Sequence, residues 1–251
     1  MNGKKGLLVG VANEHSIAWG CAKVLHEAGA TLAITYQNEK AKPHVEPLAK
    51  QVSSPIFLPL DVTNEAQLNA LFQTIQTRWD KLDFIIHSIA FAPKSDLQGR
   101  VIDSSREGFS IAMDVSCHSL IRLAKAAEPL MSDGGAILTM SYYGAEKVVS
   151  NYNLMGPVKA ALEASVRYLA VELGSKKIRV NAISPGPVAT RAASGLADFD
   201  KLMEKAAKEA PLHQLVSLES IGETAAFLLS NKAKHITGQV IYVDSGYNIR
   251  D

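Results

Sequence analysis

The sequence predicts an α/β protein: a doubly wound parallel sheet with helices on both faces, three layers in a single domain over residues 1–251. Three observations carry this expectation. Short apolar runs alternate with longer amphipathic stretches along the whole length. No Ser/Gly/Pro-rich linker, internal repeat, low-complexity tract or shift of composition divides them. A length of 251 residues with 47% hydrophobic content is enough to fill one large core.

The elements follow in order. Residues 6–12 read as a strand, and 16–28 as a helix closed by Gly29. Residues 31–36 are a strand rich in β-branched side chains. The stretch 39–52 is helical in character, with Pro43 and Pro47 disturbing its geometry. Residues 56–60 are a strand, and over 65–79 Leu68, Leu71, Phe72, Ile75 and Trp79 recur on one helical face. Residues 84–88 are a strand and 91–105 a polar excursion. One long helix is expected over 106–131, ending before Asp133-Gly134-Gly135, then a strand over 136–141. A second long helix over 152–173 is closed by Gly174, and a strand over 179–184 runs into the breaker Pro185-Gly186-Pro187. Residues 189–209 are rich in small residues, then helical and charged. A helix over 218–230 and a strand over 240–244 complete the chain. Such alternation makes the strands parallel, the crossovers right-handed, and the carboxyl ends of the strands the place where ligands bind.

Composition narrows the function. The net charge is +1, with 26 basic and 25 acidic residues, which argues against a nucleic-acid binder. Cys21 and Cys117 lie in predicted helices without a CxxC partner, and read as buried, reduced thiols of a cytoplasmic protein. The apolar start is short and breaks into Asn13-Glu14-His15, unlike a signal peptide, and no stretch approaches the length of a membrane span. The histidines, at 15, 26, 44, 87, 118, 213 and 235, show no ligand spacing, so no metal is expected.

The first strand runs into Gly10 and, six residues on, Ser16. A glycine at this turn lets the backbone approach a phosphate closely, and the following helix offers open N–H groups and a positive dipole end. Ser16 either caps that helix or donates to a pyrophosphate. The full G-x-G-x-x-G pattern is absent, so an ordinary strand–helix turn is the competing reading. After the second strand an acidic residue would hold a ribose diol and a basic one a 2′-phosphate. Gln37 is neither, which favours NADH over NADPH. Asp61 and Val62 stand where an adenine amino group is read, with a helix N-cap role for Asp61 as the alternative. Ser88, Ile89 and Ala90 end the fourth strand, where small residues leave room for the nicotinamide ribose.

Tyr152 and Lys159 stand seven residues apart. If that segment is helical, seven residues turn through about 700° and leave the side chains about 20° apart on one face. A phenol beside an ammonium is a proton donor with a tuned pKa. A shorter Tyr-x3-Lys pattern, Tyr143 to Lys147, also occurs, but directly after a strand where no long helix begins.

Taken together, these motifs resemble those of the short-chain dehydrogenase/reductase superfamily and its Rossmann-like fold. Within it the chain is most similar to the bacterial NADH-dependent enoyl-[acyl-carrier-protein] reductases. The likeness covers essentially the whole chain. It rests on Gly10…Ser16-Ile17-Ala18-x-Gly20, Thr35-Tyr36-Gln37, Asp61-Val62, Ser88-Ile89-Ala90-Phe91-Ala92-Pro93, Ser141-Tyr142, Asn151-Tyr152-Asn153-x-Met155-Gly156-x-x-Lys159 and Arg179-Val180-Asn181. The resemblance implies reduction of a trans-2-enoyl thioester in fatty acid biosynthesis. Tyr152 would then donate to the thioester oxygen, Lys159 would hold the nicotinamide ribose, and Tyr142 and Ala92 would line the acyl pocket. Ile17 would join the pyrophosphate site, and Val188, Ala189, Thr190, Arg191 and Ala192 would meet the nicotinamide amide and pyrophosphate. It also implies a substrate lid over about 190–210, an acyl carrier protein as partner and a homotetramer. Ala90 in place of a frequent glycine, Pro157 within the helix, and Ser184-Pro185-Gly186 depart from the family pattern. Two other readings compete: a carbonyl reductase of the same superfamily, which calls for tyrosine where Met155 stands, and a non-catalytic dinucleotide-binding protein.

Overall fold

In the computed structural model, which describes residues 1–190, 193 and 198–250, strands and helices alternate along the chain. The first half runs β1 (Lys5–Val9), α1 (Ile17–Glu27), β2 (Thr31–Tyr36), α2 (Lys42–Gln51), β3 (Ile56–Pro59), α3 (Glu65–Trp79), β4 (Phe84–His87), α4 (Lys94–Leu97) and α5 (Arg106–Met113). The second half runs α6 (Ser119–Ala127), β5 (Gly135–Met140), α7 (Met155–Gly174), β6 (Ile178–Pro185), α8 (Phe199–Glu209), α9 (Leu218–Leu229) and β7 (Val240–Val243). All seven strands are parallel, in the order β3-β2-β1-β4-β5-β6-β7. The order reverses between β1 and β4, where a crevice opens beyond the strand ends.

Alternating side chains along each strand feed two cores. Leu7 and Val9 of β1, Ile85 of β4, Ile137 of β5 and Val180 of β6 face α3, α6 and α7. Leu8, Ile34, Phe84, Ile86 and Leu138 face α1, α2 and α9. Both faces are covered, which is why these strands read as continuous apolar runs. A third cluster, formed by Ala92, Ala112, Val149, Tyr152, Leu154, Met155 and Val158, sits beyond the strand ends.

Several expected boundaries move for local reasons. The first strand stops at Val9 because Gly10 takes φ +112°. Where one helix over 106–131 was expected, α5 and α6 are separated by a π-helical turn, Asp114–His118, and followed by a 3₁₀ turn, Glu128–Leu130. An inserted π turn leaves the apolar spacing almost unchanged, so periodicity alone does not reveal it. The helix expected from 152 starts at Met155 instead. Asn151 and Asn153 adopt left-handed backbone (φ +64° and +44°), which helical geometry excludes. Pro157 then falls in the first turn, where its missing N–H leaves no intrahelical bond unmade. Within the polar excursion lie α4 and a 3₁₀ turn, Val101–Asp103. Of the expected lid, 191, 192 and 194–197 lie outside the described residues.

Ile85 is fully buried at the middle of the sheet. Ile85→Ala is expected to cost about 2–5 kcal/mol. The check is a lower urea midpoint at unchanged m-value; a loss below about 1 kcal/mol would contradict this packing.

Candidate active site

Three segments converge on the crevice between β1 and β4. At the first, a Cβ on Gly10 would run into the Ser88 carbonyl, so only glycine fits between the two strand ends. Ser16 begins α1, but its hydroxyl does not cap the helix. Its Oγ instead accepts from the backbone N–H groups of Ala12 (3.0 Å) and Asn13 (3.1 Å) and shapes the loop. The Trp19 N–H donates to the Ser16 carbonyl (2.9 Å), while neither a side-chain cap nor an acidic side chain occupies the N–H groups of Ile17 and Ala18.

Gln37 follows β2 and is exposed. Asp61 does not serve as the cap of α3. That role belongs to Asn64, whose side chain accepts from the Gln67 N–H. The Asp61 carboxylate accepts from Thr63 N–H (2.9 Å) and its hydroxyl (2.7 Å), closing a local turn. The Val62 carbonyl accepts from Arg122 Nη2 (2.9 Å), which ties this loop to α6. Ser88 and Ile89 continue from β4, and the Ser88 N–H donates to the Val9 carbonyl. Ser116 of the π turn, fully buried, accepts from the Phe91 N–H and donates to the Phe91 carbonyl, both at 2.9 Å. That clamp fixes the segment holding Ala92, which packs in the same cluster as Tyr152.

The second segment holds the phenols. Tyr142 leaves β5 in extended conformation, and its ring lies 4.8 Å from that of Tyr152. Asn153 donates to the Leu97 carbonyl (2.9 Å) and pins the turn bearing Tyr152 against α4. Burial, with the Glu163 charge adding to it, pushes the Tyr152 phenol well above its ordinary range. This corrects the expectation of a phenol tuned by the neighbouring ammonium: Lys159 Nζ donates to the Met140 carbonyl at 2.6 Å instead. The phenol is therefore neutral and a hydrogen-bond donor at every physiological pH. Among the described residues, the Tyr142 hydroxyl and Ser184 Oγ are both buried without a hydrogen-bond partner. In contrast, Lys147 of the Tyr-x3-Lys pattern reaches away to the Asn248 carbonyl, and Tyr143 stacks on Tyr247.

Lys159 is 5% exposed. Burial drives its pKa down to about 8, against the opposing pull of Glu163. His87, at the end of β4, is wholly buried, and burial followed by the Lys159 charge pushes it down to about 3. The neutral imidazole has one consistent tautomer. Ser119 Oγ donates to the Val115 carbonyl, so it accepts from Nε2–H (2.8 Å), and Nδ1 accepts from the Thr139 hydroxyl (2.7 Å).

The third segment follows β6. Val188 packs against the second core, Ala189 is exposed, and Thr190 Oγ1 accepts from the Ala193 N–H (3.1 Å). Arg191 and Ala192 lie outside the described residues. The sequence had not singled out Ser116, Glu163 or Arg122, and had named Ser141 and Ser184 only within motifs and His87 only as a lone histidine, since isolated serines and lone charged residues carry no spacing signal.

The glycine-only approach at Gly10, the open helix start at Ile17 and two buried hydroxyls lacking partners fit a dinucleotide lying across the switch point. Among the described residues, no cluster of His, Cys, Asp and Glu suits a metal, and no helix is long and apolar enough to cross a membrane.

Gly144 abuts the Tyr152 ring, where a Cβ would meet Cδ1 at 2.5 Å and Cε1 at 2.9 Å. Gly144→Ala is expected to displace that phenol and lower kcat at least about tenfold, the scale on which small misplacements act. Its thermal midpoint should stay within a few degrees of the parent. Unchanged turnover would remove Tyr152 from the site.

Comparison with known proteins agrees with this geometry. The family model described as "Enoyl-(Acyl carrier protein) reductase" matches residues 10–248. A Rhizobium meliloti (strain 1021) protein named enoyl-[acyl-carrier-protein] reductase [NADH] 1 is 51% identical over 248 residues, covering 99% of this chain and 91% of the relative. A crystal structure of an enoyl-(acyl-carrier-protein) reductase from Anaplasma phagocytophilum in complex with NAD superposes with a TM-score of 0.95 at 46% identity, over 99% of this chain and 95% of that one. The Bacillus cereus enoyl-acyl carrier protein reductase, solved with NADP+ and an indole naphthyridinone, superposes with a TM-score of 0.97 at 46% identity, over 99% and 97%. Matched by the family model over residues 10–248 and by a relative 51% identical over 99% of its length, the chain belongs to the enoyl-(acyl carrier protein) reductase family.

Proposed function

We propose that this chain reduces the 2,3 double bond of trans-2-enoyl thioesters carried on acyl carrier protein, using NADH, in cytoplasmic fatty acid biosynthesis. The observation that supports this most is the juxtaposition of Tyr142 and Tyr152, rings 4.8 Å apart, beyond the strand ends on the side where Lys159 is buried. Gly10, Ser16 and Ile17 would hold the pyrophosphate side of the cofactor, Asp61 and Val62 the adenine, and Ser88, Ile89 and Lys159 the nicotinamide ribose. Residues 188–192 would meet the nicotinamide amide. Gln37 offers no charge to a 2′-phosphate, which favours NADH over NADPH.

The bound dinucleotide supplies the hydride for the β-carbon. The remaining work belongs to the protein. Negative charge grows on the thioester oxygen as an enolate forms, the Tyr152 hydroxyl donates to it, and a proton taken up at the α-carbon completes the saturation. A neutral phenol with a raised pKa suits this role: it stabilises the charge without giving up its own proton early. Lys159 keeps the local potential positive. Tyr142, whose hydroxyl is buried without a partner, orients the thioester. Leu202 of α8 packs against the cluster around Tyr152, so α8 stands at the mouth of the acyl pocket as part of the lid. A carbonyl reductase is disfavoured because position 155 holds a buried methionine where such enzymes need their phenol.

With NADH, turnover of a crotonyl thioester is expected and that of an acetoacetyl thioester is not. Tyr152→Phe should lower kcat about 10²–10³-fold, as for loss of an oxyanion donor. Lys159→Met should chiefly raise the KM for NADH. Turnover of the acetoacetyl substrate alone would overturn the reading.

The chain is further proposed to form a homotetramer. Tyr168 and Val171 stand 73% and 82% exposed on α7, with Phe109 exposed on α5, an apolar surface suited to helix-on-helix association across a two-fold axis. Sedimentation velocity at micromolar concentration should give a tetramer, and Tyr168→Glu with Val171→Glu should dissociate it. A monomeric parent protein would refute this.

A further inference from the structure

Glu163 is a buried carboxyl for which the chemistry above has no use. It is 4% exposed on α7, four residues beyond Lys159 and hence on the same helical face. A buried carboxylate is costly unless paired and hydrogen-bonded. Its Oε1 accepts from the hydroxyl of Ser141, the residue that links the end of β5 to Tyr142. Around it stand Lys159 and Arg167 of its own helix, Glu146 from the loop after β5, and Tyr242 of β7. Lys159 in turn is faced by Glu163, by Cys117 of the π turn and by His87 of β4, beside the Met140 carbonyl to which it donates. His87 is neutral and the Met140 contact is a dipole, so Glu163 is the anionic group facing this ammonium.

We propose that Glu163 is a positioning residue for the reaction: its carboxylate keeps Lys159 protonated and, through Ser141, fixes the strand end from which Tyr142 projects. The inference rests on the reading of Lys159 given above. Two properties of one side chain are thereby separable. The charge acts on Lys159, and the hydrogen bond acts on Tyr142. Glu163 opposes the burial that lowers Lys159, so losing the charge lowers the lysine further and lets it deprotonate at lower pH.

The experiment is the pH profile of kcat/KM for the intact protein with NADH and a crotonyl thioester, compared across variants. Glu163→Gln retains an acceptor for Ser141 and removes only the charge. Its alkaline limb should move to lower pH by about one unit or more, the usual effect of a nearby opposite charge. At pH 8 this reads as about a fivefold loss or more, whereas at pH 6 activity stays within about threefold of the parent. Ser141→Ala should lower kcat at all pH values and move the limb by less than Glu163→Gln does, since that hydroxyl also favours the ionised Glu163. If Glu163→Gln is insoluble, Glu163→Asp, which draws the charge back by one methylene, should move the limb in the same direction by less. A limb that stays put in whichever soluble Glu163 variant is measured, or that Ser141→Ala shifts equally, overturns the proposal. Lys159→Arg separates this from failure of the underlying reading. Arginine does not deprotonate, so the limb should vanish there, and a limb that persists removes Lys159 itself from the ionisation.

Discussion

A buried ammonium at the carboxyl end of a parallel sheet is the constraint around which this structure is arranged. Taking a lysine out of water costs several kcal/mol unless its surroundings supply opposing charge and acceptors. Here the acceptor is the Met140 carbonyl at the end of β5, and the opposing charge is Glu163 one helical turn on. Burial, with this ammonium adding to it, holds His87 neutral, both ring nitrogens bonded to the hydroxyls of Thr139 and Ser119. Strands β4 and β5, helix α7 and the π turn are thus coupled through one side chain. Their relative placement decides where Tyr142 and Tyr152 can stand.

The π turn distributes this order outward. By widening one turn between α5 and α6 it re-aims neighbouring side chains in different directions. Ser116 clamps the backbone of Phe91, Ser119 holds His87, and Arg122 reaches the Val62 carbonyl. Arg122 is itself held by Asp114, whose carboxyl is kept below its usual range by the guanidinium. A single helical irregularity therefore supports the loops after β3 and β4 and the end of β4 itself. An unbroken helix over the same residues would leave at least one of these contacts unmade.

The layer order and most elements were legible because their causes are local. The bounds of α3 coincide with expectation: Asn64 caps one end, and Asp80 takes left-handed backbone at the other. β2 coincides as well, its β-branched run ending in Tyr36. The rest depended on causes that spacing does not carry. The π insertion leaves apolar periodicity nearly intact. The turn at Tyr152 depends on two asparagines accepting positive φ, a signal present in Asn151-Tyr152-Asn153 but overridden by the assumption of a helix. Ser16 turned its hydroxyl into the loop, not onto the helix, because Ala12 and Asn13 offered N–H groups closer at hand. The hydrogen-bond partners of Ser116 and Glu163 lie 25 and 22 residues away, so no linear motif announces those contacts.

The two tyrosine–lysine spacings show why a motif has to be read with its element. Tyr143 and Lys147 match the shorter pattern, yet the tyrosine begins a 3₁₀ turn that ends at Ala145, and the lysine beyond it is drawn off to the carbonyl of Asn248. Tyr152 and Lys159 match the longer one although the tyrosine is not on the helix at all. What unites them is a shared burial beside Glu163, which raises the phenol while supporting the ammonium. The two effects are complementary. A phenol that cannot ionise remains a donor, and an ammonium that stays charged biases the pocket toward an anionic oxygen. A helical tyrosine four residues before the lysine would occupy position 155, where the side chain is packed into the apolar cluster. Moving the phenol to the preceding turn frees it from helix geometry and brings its ring against Tyr142.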